Sequence, residues 1–170
     1  LNESESTAIK SLKYINTVNE TEWRVNSKES IYNQLGIIQK DLRKFSRARE
    51  YYDKILETSL DSLNRNIVLN NKANILLKMG DYEAALAEFK IVYKNSLTIR
   101  DLSHSALALD NLGLAQSKLE IDGGLINMLN ALEIRISLQD VEDIYDSYLH
   151  LAEYYFDQKD NLKVRYYANK

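Results

Sequence analysis

Small residues recur in this 170-residue chain at a nearly constant interval. Gly36, Ala73, Gly113 and Ala152 follow one another at spacings of 37, 40 and 39. Each lies in a stretch whose apolar residues return every three or four positions, the spacing of one helix face. A second small residue follows 11 or 12 positions later: Ala48, Ala85 and Gly124, with Val164 in the fourth slot. Self-similarity at a period of 20–50 residues is the mark of a repeat architecture, in which each unit buries its apolar face only against its neighbours. That constraint outranks any single motif in the chain.

The punctuation agrees with helices. The chain has no proline and only five glycines, fewer turn formers than a sheet protein usually needs. Leu, Ala, Glu and Lys are abundant, and all are good helix formers. An all-α fold is therefore expected. Plausible helix caps are Ser4 or Ser6, Ser27, Asp81, Ser103 and Asp140. There is no cysteine, which removes disulfides and thiolate metal sites and fits a cytoplasmic or a periplasmic setting equally. No run of about 18 apolar residues suggests a membrane-spanning helix. A net charge of −3 argues against a nucleic-acid surface on this segment. The chain starts at Leu1 and stops at Lys170 within an apparent helix, so a segment of something longer is expected.

Written side by side, "YNQLGIIQKDLRKFSRAREYYDKIL" (32–56), "LNNKANILLKMGDYEAALAEFKIVY" (69–93), "LDNLGLAQSKLEIDGGLINMLNAL" (109–132) and "YLHLAEYYFDQKDNLKVRYYANK" (148–170) share one plan. It resembles the tetratricopeptide repeat, whose pattern is W-x2-L-G-x2-Y followed by A-x3-F and a proline. The first copy gives Tyr32, Leu35, Gly36 and Gln39, then Ala48 and Tyr52. The second gives Leu69, Lys72, Ala73 and Leu76, then Ala85 and Phe89. The closing proline is missing, and the period exceeds the usual 34 or so. The long-period variety resembles repeats of bacterial signalling proteins. The resemblance implies an α-α superhelix over residues 1–170. It would hold a half repeat at 4–20 and repeats at 27–60, 65–99, 103–138 and 141–170, the last truncated. Gly36, Ala48, Ala73, Ala85, Gly113, Gly124 and Ala152 would be structural positions where paired helices approach closely.

Residues 119–128, "LEIDGGLINM", pose a choice between a phosphate cradle and a turn. Aligned on the second copy, Asp122 and Gly123 fall in the turn and Gly124 takes the packing slot. A phosphate loop needs a preceding strand and a GxxxxGK-type run, and the sequence has neither. His104 and His150 lie in different copies, so no shared metal site is expected. The chain has no HExxH or GxSxG motif, and no enzyme activity, metal or cofactor is expected. The basic run "KDLRKFSRAR" at 40–49 reads as a solvated turn and helix face.

By resemblance, the first helix of each repeat would line a concave groove for a protein or peptide partner. Its inward polar positions would be Asn33, Lys40, Asn70, Asn74, Lys78, Asp110 and Lys118. An asparagine amide both donates and accepts, so a row of them suits an extended peptide backbone. The leading expectation is thus a non-catalytic binding scaffold. The alternative is an input module of a longer signalling protein, a histidine kinase or a LuxR-type transcriptional regulator. Self-association through the apolar end repeats, near Tyr166, Tyr167 and Ala168, is a third reading.

Overall fold

The structure, a computed structural model, describes residues 3–17, 22–59 and 61–170, with side chains from residue 27 onward within the second helix. The described residues form nine α-helices and no strand: α1 (Glu3–Ile15), α2 (Glu22–Asp41), α3 (Phe45–Thr58), α4 (Ser62–Met79), α5 (Tyr82–Thr98), α6 (Leu102–Lys118), α7 (Gly124–Leu138), α8 (Val141–Asp157) and α9 (Asn161–Ala168). The class is all-α, of the α-α superhelix kind. The half repeat expected at 4–20 corresponds to α1; residues 18–20 lie outside the described residues, as does Leu60 at the end of the first expected repeat. The chain forms two compact units, Leu1–Ile75 and Leu76–Lys170.

One turn device ends six of the helices. Arg43, Gly80, Arg100, Glu120, Gln139 and Lys159 adopt positive φ. The amide of the next residue then donates to a carbonyl five positions back, as from Asp81 to Leu76 and from Asp140 to Arg135. This is the Schellman arrangement, which satisfies carbonyls that the helix end leaves orphaned. In four of these turns the following residue is an aspartate. The Asp81, Asp101, Asp140 and Asp160 side chains accept from the amides of Ala84, His104, Asp143 and Lys163 and so cap the next helix. Two of the caps expected from the sequence, Asp81 and Asp140, are thus in place. Ser103 lies inside α6, whose cap is Asp101, while Ser27 lies inside α2 and Ser4 and Ser6 inside α1.

The small residues stand where helices meet. Ala48, Ala73 and Ala85 are wholly buried and Ala152 nearly so. A methyl on Gly36 would enter the Tyr52 ring, and one on Gly124 would meet the Gly113 carbonyl oxygen at 2.8 Å. In the first unit Ala48, Tyr52, Ile55, Val68 and Ile75 form a core, with Tyr32 and Phe45 packed against it. In the second, Met128, Leu132 and Leu151 form one with Leu125, Ile144 and Tyr148.

Candidate functional site

In the first unit, α2 and α4 lie side by side and run in the same direction. The Asn64 amide donates to Glu29 Oε2 at 3.2 Å, and one or two turns further along the Asn71 amide donates to Asn33 Oδ1 at 3.1 Å. Between them lies a cavity of about 260 Å³. Its described lining is apolar at Ile55, Ile67 and Val68 and polar at Glu29, Ser30, Asn33 and Asn64. Glu29 is only 6% exposed.

In the second unit, α6 and α8 repeat this parallel relation with charges. His150 Nδ1 lies 2.9 Å from Asp110 Oδ2, and Lys118 Nζ lies 2.8 Å from Asp157 and 2.7 Å from Glu153. Arg135 enters from α7. Its Nη1 donates to Asp110 Oδ2 at 2.7 Å and to Ser147 Oγ at 2.5 Å, and its Nε stands 3.8 Å from Asp143. Arg135 is 1% exposed and Asp110 wholly buried. Burial opposes charge on the His150 imidazole, but the hydrogen bond and charge of Asp110 outweigh it and hold the imidazole above its ordinary value. Lys118 behaves likewise: burial opposes its charge, and Asp157 and Glu153 prevail, raising it.

The polar positions assigned to a groove therefore divide. Asn33, Lys40 and Asn74 are half-buried in the first unit, and Lys78 is exposed in the second. Lys118 is half-buried and spends its charge on α8. Asp110 and Asn70 need correction as partner contacts. Asp110 is the buried counter-ion of Arg135 and His150, and Asn70 is 4% exposed. Both are enclosed where the first helix packs against other helices. Sequence reasoning missed Glu29, Asn64 and the Asp110–Arg135–His150 cluster. The signal was present in the spacing: Asp110 and His150 are 40 residues apart, about one period, which places an acid and a base on neighbouring first helices.

Among the described residues, no group of three or more His, Cys, Asp or Glu side chains is arranged to hold a metal ion. Among the same residues no helix is long and apolar enough to cross a membrane. His104 is held by its own helix cap, with Nδ1 2.6 Å from Asp101 Oδ2.

The family model of the tetratricopeptide repeat matches residues 29–61 and 68–94. Two of the repeats match it. These two stretches take in the α2–α3 pair from Glu29 onward and most of the α4–α5 pair. Among solved structures, BtubC (BKLC) from P. vanneervenii is similar, with a TM-score of 0.72 and 19% sequence identity over 97% of this chain and 69% of that one. At that identity the likeness shows the fold. No curated protein matches the sequence. Tetratricopeptide repeats serve in general as protein-interaction scaffolds, and that general role is what the family match supports here.

Proposed function

We propose that the chain is a non-catalytic scaffold that binds an extended peptide segment of a partner protein along the first helices of its tetratricopeptide repeats. The observation that carries this reading is the cavity between α2 and α4, whose described lining includes the amide side chains of Asn33 and Asn64. Half-buried asparagines there can donate and accept together, which is what a peptide backbone needs. Asn33 in this lining and Asn74 further along α4 are the amides we assign to the peptide. Asn70 and Asp110 are left out because packing encloses them.

The test is selection of peptides from a random display library on the full chain, then calorimetry with the Asn33→Ala, Asn74→Ala double variant. We expect the selected peptides to bind the variant roughly tenfold more weakly, the effect of one or two lost hydrogen bonds. The circular dichroism spectrum should be unchanged. Equal affinity for a folded variant would remove these amides from the site, and selection of no peptide would overturn the reading as a whole.

A further inference from the structure

We propose that the cavity between α2 and α4 is a socket for an arginine side chain, with Glu29 as the carboxylate that receives its guanidinium. The proposal takes its source of arginine, a bound peptide, from the function proposed above.

Size comes first. At about 260 Å³ the cavity is smaller than the 300–1,000 Å³ typical of small-molecule sites. It is suited to one long side chain.

The lining has the polarity of such a chain. Ile67 and Val68 offer apolar surface for a methylene stem, and Glu29, Ser30 and Asn64 offer oxygen acceptors. Arg buries its stem while its head stays in polar surroundings.

Charge decides the sign. The described lining holds one acid and no cation. Glu29 is nine-tenths buried, and the one hydrogen bond to its side chain among the described residues is the 3.2 Å contact from Asn64. A carboxylate removed from water needs more than one neutral donor to offset its lost hydration. A ligand carboxylate or phosphate would meet Glu29 head-on.

Arginine fits better than lysine because of the number of acceptors. A guanidinium presents five donors in a planar fork. Both Glu29 oxygens, Ser30 Oγ and Asn64 Oδ1 can share them, whereas an ammonium has three.

The socket is tested without a peptide. N-acetyl-arginine methylamide and its neutral isostere N-acetyl-citrulline methylamide are titrated into the full chain, with the Asn64 and Asn33 side-chain amide resonances as readout. For the arginine compound we expect saturating shifts with a dissociation constant on the order of millimolar. Binding should be roughly tenfold or more weaker for citrulline, and likewise for the arginine compound with Glu29→Gln, as befits a lost charge-assisted hydrogen bond. Equal shifts with citrulline, undiminished shifts in Glu29→Gln, or no shift at these amides would overturn the socket. If Glu29→Gln does not fold, the citrulline comparison on the unaltered chain decides alone. A failed socket alongside successful peptide selection leaves the scaffold reading standing, and the reverse result keeps the socket while removing the peptide.

Discussion

Gly113 and Gly124 face each other across the α6–α7 contact so closely that neither has room for a methyl group. A Cβ on Gly113 would stand 2.6 Å from the Gly124 carbonyl oxygen and 2.9 Å from Met128 Cγ. Backbone cannot swing aside as a side-chain tip can, so the helices would have to part. We expect Gly113→Ala to destabilise the chain by about 1–3 kcal/mol, although alanine gains up to about 1 kcal/mol in helix propensity. In a thermal melt this is a fall of roughly 2–4 °C per kcal/mol. A melting temperature that stays level or rises would show that the pair relaxes freely. These contacts were legible in the sequence because close approach admits few residue types and the period repeats them. The Asp110–Arg135 pair was not, because nothing in a helical pattern separates an exposed charge from one that a neighbouring helix encloses. Asn70 misled for the same reason: it adjoins Asn71, which reaches Asn33 while Asn70 turns inward.

In four of the turns between described helices, each only two or three residues long, one pair of residues ends one helix and begins the next. The residue at positive φ closes one helix and the aspartate after it opens the next, as in Arg100–Asp101, Gln139–Asp140 and Lys159–Asp160. Glycine takes the positive-φ position of these turns once, at Gly80. A side chain in the left-handed region costs about 1–2 kcal/mol, which each of the non-glycine turns bears. Gln139→Gly should therefore stabilise the protein by about 1 kcal/mol, a rise of roughly 2–4 °C in the melt. Gln139 accepts this test well because its amide bonds to Ile136 through the backbone, which glycine retains. A lower melting temperature would mean that the Gln139 side chain contributes more than its backbone strain costs. The scarcity of glycine pointed correctly to helices, yet it hid the turns. Asp101 caps α6 where the sequence suggested Ser103, two residues inside, because both residue types cap well and only the preceding turn distinguishes them.

At the scale of the whole molecule, repeat proteins sum their stability from neighbouring contacts, so one buried cluster can set the response to pH. Asp110, Arg135 and His150 join α6, α7 and α8 of the second unit. Such a cluster is a weak source of stability when complete and costly when broken, since removing one partner leaves a buried charge uncompensated. His150 has a folded value that differs from its ordinary one. Burial and Arg135 act against its protonation, while Asp110 and Asp146 favour it and prevail, so its folded value lies above its ordinary 6.5. A raised folded value means that the folded state binds the proton more tightly than the unfolded chain does. The stabilisation is then fully present below about pH 6.5 and is lost as pH rises through the folded value. Asp143 has the same sign in the acid range. Burial raises its carboxyl, against the pull of Arg135 and with help from Asp140, Asp146 and Glu142, so its contribution is present below its ordinary value and is lost as pH rises through the folded value. The melting temperature should fall as pH rises above about 6.5, with hydrogen exchange accelerating first in α6 and α8. His150→Gln keeps a hydrogen bond to Asp110 and carries no titrating group, so it should flatten that slope. A slope unchanged in the variant would place the titration elsewhere and leave Asp110 serving Arg135 alone.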